Sequence, residues 1–368
     1  MADEKFDAIV VGAGPSGLAA AITLAKAGLE VALLERGSYP GSKNVMGGIF
    51  YRHPLETILP EFWKTAPVER PIVEQRFWML GDNGHVGGGV RSEKFDGDKP
   101  NCWTVLRAKF DRWLSEQAEA AGVMLLAETK VESLLQKDGK VIGVHTLLDD
   151  GDLYADVVVI AEGVNSILLR DMGIHPEIKT NQVATAVKEI ISLPSEKIED
   201  RFNVEKGQGV SIELLGSASQ GGMGLGFLYT NRDSISLGIG VLVSDLARLK
   251  LKPNDLLEGL KNHPSVRPLI AGGKTEEYLA HFIPEGATLE QLPLHALVGP
   301  YLWLDLDQLT PSSLTELKTG YQGETILFLT SSAAVEISDE VFKALLELPC
   351  LVWVIVHGIE ILGHELFS

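Results

Sequence analysis

With 368 residues, 45% of them hydrophobic, the chain has length for about two domains and material for a large core. A net charge of −18 without any block of Lys and Arg argues against nucleic acid and against broad electrostatic adhesion to anionic lipid, and reads as solubility. Two cysteines, Cys102 and Cys350, lack C-x-x-C spacing; they exclude a four-Cys iron–sulfur cluster and a redox-active pair, leave no metal site expected, and fit a reducing cytoplasm.

The N-terminus runs straight into a strand, with no signal or transit peptide expected. An apolar run over 8–11 reads as a buried parallel strand, followed by Gly12-Ala13-Gly14-Pro15-Ser16-Gly17, a small-residue helix over 18–27 closed by Gly28, and a second strand over 31–34 ending on Glu35. This is a βαβ unit carrying G-x-G-x-x-G with an acid at the tip of its second strand. Gly12 permits the tight turn, Gly14 lets a pyrophosphate reach the backbone, and Gly17 lets the helix pack against the sheet, with its free N–H groups facing the phosphates. Glu35 would accept hydrogen bonds from a ribose 2′-hydroxyl and disfavour a 2′-phosphate.

A polar, Gly-rich loop over 36–48 leaves the strand's carboxyl end, where such loops face the ligand crevice. Gly47-Gly48 exposes backbone that a flat ring could approach; a plain connection is the alternative. Helical spacing over 51–71 predicts a short helix on the core, and 75–80 is strand-like. Residues 81–89 read as a flexible Gly-rich turn with His85 solvated. A helix is predicted to open around 104 and run to 121, with Arg107 just before its start. Strands over 123–127 and 131–136 follow, then Asp138-Gly139, a hairpin signal leading into 141–148. Another buried strand, 156–160, runs into Ala161-Glu162-Gly163.

From 182 the pattern turns to alternation, predicting antiparallel strands over 183–192, 209–215, 224–230 and 234–243, then a helix pair over 253–260 and 266–270 and a last strand over 276–283. The fold class is α/β, a Rossmann-like FAD/NAD(P)-binding domain over 1–180 with an inserted mixed-sheet substrate domain over 181–285 and a C-terminal segment over 286–368. The apolar stretch over 345–362 is broken by Pro349 and holds Glu347, His357 and Glu360, so it makes a poor bilayer span; a buried C-terminal element is expected.

The opening fingerprint, Gly41-Ser42-Lys43-Asn44 with Gly47-Gly48, Leu106-Arg107-Ala108-Lys109-Phe110-Asp111 and Ala161-Glu162-Gly163 together resemble the electron-transfer-flavoprotein:quinone oxidoreductases, above all their FixC branch, which adjoins the geranylgeranyl reductases. The resemblance runs over about residues 5–293. It implies a glutathione-reductase-like flavoprotein whose cofactor is FAD. Carried over, Gly12, Gly14, Pro15, Ser16 and Gly17 would hold the pyrophosphate, Glu35 the adenosine ribose and Arg36 the adenine end. Val131 would flank the adenine, and Ala161, Glu162 and Gly163 would cross the middle of the dinucleotide. Met46, Gly47 and Gly48 would pass the isoalloxazine, and Arg107 would contact the phosphate or ribitol. No catalytic His or Cys is expected, because the flavin carries the chemistry.

The resemblance also implies the partners: electron-transfer flavoprotein subunits as donor, a ferredoxin-like iron–sulfur subunit, and a quinone acceptor packed near residues 225–229. A cytoplasmic location, peripheral on the inner face of the membrane, belongs to the same implication. Beyond Pro293 the family's Gly-Asp motif and its helix are missing, with Asp305 and Asp307 as weak substitutes; a strand over 325–329 and a helix over 339–348 fit nothing in the family. Two alternatives stay open: a reductase or monooxygenase of a lipophilic, prenyl-type substrate, and a truncated, catalytically silent flavoprotein remnant.

Overall fold

The computed structural model describes residues 5–42, 47–148, 151–173, 177–284, 295–298, 301–305, 325–330 and 351–356. It divides into two compact units, Met1–Glu285 and Gly286–Ser368. In the first, a six-stranded sheet runs in the order Met124–Leu126, Val31–Leu34, Lys5–Val11, Asp152–Ile160, Lys140–Thr146, Val131–Lys137. The first four are parallel, and the central two, Lys5–Val11 and Val31–Leu34, have their apolar runs covered on both faces, as buried parallel strands require. The last two form the predicted hairpin, with Asp138 at φ +52° and Gly139 at φ +76°, the paired left-handed residues of a type I′ turn.

The helix after the first strand is Pro15–Lys26, opening earlier than spacing suggests because proline's fixed φ suits the first helical position. It buries Leu18, Ala21 and Ile22 in one core with Phe110, Leu114 and Ala118 of the helix Arg107–Ala120. An aromatic cluster closes that core: Phe50 lies 4.7 Å from Phe110 between ring centroids, and Phe62 packs edge-on against Trp63 and Trp103.

A nine-stranded sheet follows the order Lys274–Pro284, Val183–Ser192, Ser234–Leu242, Gly224–Thr230, Gly209–Gly216, Val68–Leu80, Cys102–Leu106, Gly47–Tyr51, with His85–Arg91 paired to Val68–Leu80. Its one parallel pairing joins Gly209–Gly216 to Val68–Leu80. One face carries Val187, Leu237, Ile239, Leu228, Ile212 and Leu214 against the helices Ser195–Phe202, Val243–Leu249 and Pro253–Asn262.

Residues 102–106 form a strand, so the helix opens at Arg107; pairing on both sides, to Gly47–Tyr51 and Val68–Leu80, overrides the helical pattern. The predicted helix over 51–71 shrinks to Arg52–Glu56 and a single turn Phe62–Lys64, because Val68 already starts a 13-residue strand. The supposed turn over 81–89 is mostly the strand His85–Arg91. Its glycines serve the neighbouring strand: a Cβ on Gly87 would meet Trp78 Cδ1 at 2.5 Å and one on Gly89 the Gln75 carbonyl oxygen at 2.5 Å. His85 is exposed yet not a bare loop residue; its ring stacks 3.9 Å from Trp78 and its Nδ1 lies 2.8 Å from Ser265 Oγ.

In the second unit His295–Val298 pairs antiparallel with Tyr301–Asp305, and Thr325–Thr330 and Leu351–Val356 continue that sheet in parallel. The strand predicted over 325–329 is present; Asp307 and the helix predicted over 339–348 lie outside the described residues. Among the described residues no helix is long and apolar enough to cross a membrane.

Candidate cofactor site

The turn from the first strand into its helix is shaped by what glycine permits. Gly12 has φ +102° and donates its N–H to the Leu34 carbonyl at 2.8 Å; a Cβ there would stand 2.4 Å from the Ala161 carbonyl oxygen. Gly14 caps the helix with no side chain bonded to the first turn, and a Cβ built on it would meet nothing within 4 Å. Pro15 has no N–H, so Ser16 and Gly17 offer the leading amides, at the positive end of the helix dipole. Open space beside an uncapped helix start leaves room for a diphosphate.

Glu35 ties this turn to the following loop. Its Oε2 accepts from the Ala13 amide at 3.1 Å and its Oε1 from the Gly37 amide at 2.6 Å. The segment leading to Val131 runs alongside, with the Thr129 amide donating to the Glu35 carbonyl at 2.8 Å. Arg36 is exposed and Val131 half-buried. Ala161 donates its amide to the Val11 carbonyl, which sets Ala161-Glu162-Gly163 against Gly12. The Glu162 carboxylate accepts from the Leu168 and Leu169 amides at 3.0 and 3.3 Å, so it caps the short helix Ile167–Asp171.

A second cluster gathers around Arg107. Gly47 and Gly48 pair in register with Leu106 and Val105, next to Arg107 at the helix start. Met46 lies outside the described residues. The Arg107 guanidinium forms a bidentate pair with Asp111, at 2.7 and 2.8 Å. Asp111 is buried, which raises its carboxyl pKa against the opposing pull of Arg107, and the Glu35 charge adds to the rise. The loop after Glu35 comes close to this pair: a Cβ on Gly41, at φ +89°, would fall 2.8 Å from Asp111 Cβ.

Sequence reasoning missed Asp111, whose i,i+4 spacing from Arg107 was the available signal. It also missed Lys188, a buried lysine in the strand Val183–Ser192. A third omission is Gln75, which hydrogen-bonds both Tyr51 and Cys102. Burial pushes the Cys102 thiol up to about 12 and raises the Tyr51 phenol, so neither ionises near neutrality. Among the described residues no three His, Cys, Asp or Glu side chains come together as metal ligands. The arrangement suits holding a long, doubly charged dinucleotide, and its described residues bring no nucleophile–base pair together.

The FAD binding domain family matches residues 5–226. Protein FixC of Bradyrhizobium diazoefficiens is 52% identical over 287 residues, 78% of this chain and 66% of that protein. The probable electron transfer flavoprotein-quinone oxidoreductase YdiS of Escherichia coli K12 is 45% identical over 286 residues, again 78% of this chain and 66% of that protein. The chain thus spans about two thirds of the length of these relatives. E. coli K12 FixC is 44% identical over 304 residues, 81% of this chain and 69% of that protein. The solved geranylgeranyl bacteriochlorophyll reductase-like protein of Thermoplasma acidophilum superposes with a TM-score of 0.63 at 21% identity, over 76% of this chain and 66% of that one, and so shares the fold. On these matches the chain belongs to the FAD binding domain family and, within it, to the FixC and electron-transfer-flavoprotein:quinone oxidoreductase group.

Proposed function

We propose that the chain is an FAD-dependent oxidoreductase that passes electrons from a reduced electron-transfer flavoprotein to a quinone-type acceptor. The observation that supports the cofactor reading is the helix start at Gly14, which no side chain of its cap residue bonds and where a Cβ would meet only open space. The donor and acceptor are supported by the names of the FixC and YdiS relatives. Bound FAD supplies the chemistry, since it exchanges electrons singly or in pairs. The protein's part is binding and orientation. Gly12, Gly14, Pro15, Ser16 and Gly17 cradle the diphosphate, Glu35, Arg36 and Val131 receive the adenosine, and Ala161, Glu162 and Gly163 line the middle. Met46, Gly47 and Gly48 would flank the ring, and Arg107, in its bidentate pair with Asp111, would meet the ribitol or phosphate. The strands over 183–284 form the acceptor side. A ferredoxin-like subunit supplies the iron–sulfur centre, and contact with the inner membrane face is peripheral.

Stopped-flow mixing of the protein with reduced electron-transfer flavoprotein and a short-chain quinone tests this. Quinone-dependent reoxidation without hydrogenation of any added prenyl substrate is expected. Double-bond reduction in a prenyl lipid would overturn the acceptor in favour of a reductase. A purified protein that takes up no FAD would leave the silent-remnant reading standing.

A further inference from the structure

The six-stranded sheet is complete on one side of its strand Asp152–Ile160 and open on the other. Toward Lys5–Val11 the pairing runs from Tyr154 to Ile160. On the far side only Asp152, Leu153 and Tyr154 find a partner, in Lys140–Thr146. From Asp156 to Ile160 that side meets no strand among the described residues. The Ala161 amide donates to the Val11 carbonyl, so by alternation Val157 and Val159 also turn their backbone toward Lys5–Val11. Asp156, Val158 and Ile160 turn theirs outward, leaving their amides and carbonyls as a template for a further strand. Burial agrees. Ile9, Val10, Val31 and Leu33 are at most 2% exposed, whereas Val157 is 56% exposed. Val157 shares a face with Val159, which lines an open apolar hollow with Ala19, Ala20, Thr23 and Leu24 of the helix Pro15–Lys26 and with Ile58. A strand laid along the open edge would set alternate side chains over this hollow.

Edges that face water are usually blunted by charge or proline; here Asp156 is followed by Val157, Val158, Val159 and Ile160. The length of the relatives indicates what covers them. FixC of B. diazoefficiens and YdiS of E. coli K12 match this chain over 287 and 286 residues, about the length of Met1–Glu285, and a third of each has no counterpart in it. An edge that continues four parallel strands takes a parallel one. Such a strand arrives through a crossover, most often a helix, and not through a tight turn. A second copy, related by a two-fold axis perpendicular to the sheet, would bring the same strand antiparallel. A strand-and-helix segment from the unmatched third meets the geometry better.

We propose, independently of the electron-transfer reading, that the edge Asp156–Ile160 is the docking site of a separate polypeptide carrying the third of a FixC-type chain that this chain does not match. It enters as a parallel strand of about five residues, with apolar side chains over Val157, Val159 and Leu24. The probe is the unmatched third of B. diazoefficiens FixC, co-expressed with the full chain, which alone carries an affinity tag. A one-to-one complex is expected by native mass spectrometry. Hydrogen exchange should slow at least about tenfold at the outward amides of Asp156, Val158 and Ile160, and change little at Val157 and Val159, whose amides already face Lys5–Val11. Val157→Lys alters a side chain exposed in the chain alone, so its Tm should hold while the complex is lost. Recovery of the tagged chain by itself overturns the proposal, as does a complex that leaves the three outward amides fast, or one that Val157→Lys forms as well as wild type. Slow exchange at those amides without the probe overturns it too: if protection fades on dilution the edge pairs with a second copy, and if it persists the chain covers its own edge.

Discussion

A Cβ built on Gly17 would stand 1.8 Å from the carbonyl oxygen of Gly12, whereas one built on Gly14, three residues earlier in the same turn, would touch nothing. The two glycines therefore answer to different demands, Gly17 to the fold and Gly14 to a ligand. Gly17→Ala forces backbone apart inside a packed core and is expected to destabilise by about 1–3 kcal/mol. Gly14→Glu keeps the fold, since φ −77° suits any residue, but fills the phosphate hollow with a like charge. Thermal melts should separate them: a lowered Tm for Gly17→Ala, and for Gly14→Glu a near-native Tm with the bound flavin lost.

Glu35 has two acceptor oxygens, and each already takes a backbone amide, from Ala13 and Gly37. In Glu35→Gln one of these amides would face an NH2 group. The loss of that charge-assisted bond is expected to cost about 1–3 kcal/mol in stability. If the carboxylate also receives the adenosine ribose, FAD should bind about tenfold more weakly, the equivalent of one hydrogen bond to a charged group. FMN lacks the adenosine, so its affinity should not move. Fluorescence titration with the two flavins distinguishes a ribose contact from a purely structural tie.

Much of this site can be read along the chain because its βαβ unit is local. Strand, glycine turn, helix and Glu35 fall within a few dozen residues, and each glycine's duty follows from short-range sterics. The parts that were not legible depend on register between distant strands. That His85–Arg91 is a strand follows from Gly87 and Gly89 meeting Trp78 and Gln75, which no window over 81–89 contains. The Cys102–Leu106 strand becomes necessary only once Val68–Leu80 and Gly47–Tyr51 flank it. Lys188 looks like a solvated charge on an alternating strand until Gly238 and Phe227 are brought beside it.

Arg70 shows the same long-range logic in the core. It is 1% exposed and donates to the carbonyls of Asn231, Gln208 and Arg232, to Ser195 Oγ, and to Glu199 at 3.0 Å. One side chain thus ties the strand Val68–Leu80 to two segments more than a hundred residues away. Arg70→Met takes the donor from three carbonyls at once, while Glu199 keeps the Gly207 amide and Ser195 Oγ. A loss of about 3 kcal/mol is expected, from buried acceptors left without a partner. Arg70→Lys should recover little, because an ammonium cannot reach all these acceptors from one position. Urea unfolding followed by tryptophan fluorescence measures both.

Lys188 gives the stability a pH dependence whose direction can be worked out. Burial is the largest influence and lowers its pKa; Arg107 pushes the same way, Glu277 opposes, and the result is about 7 against an ordinary 10.5. In the FAD-free protein the unfolded chain therefore holds this proton between those values while the folded chain has released it. Stability must then rise with pH across that window, by up to about 1.4 kcal/mol per pH unit for one proton. Below about pH 7 both states are protonated, and the full penalty of a buried, unpaired ammonium is present. Lys188→Met removes the group, so it should be more stable than wild type near neutrality, with the advantage shrinking as pH approaches 10. Denaturant midpoints taken every half unit would show this as a flatter slope. If the two proteins kept parallel profiles, the lysine would have to be charged and compensated in the folded protein, with Glu277 as the group that acts on it.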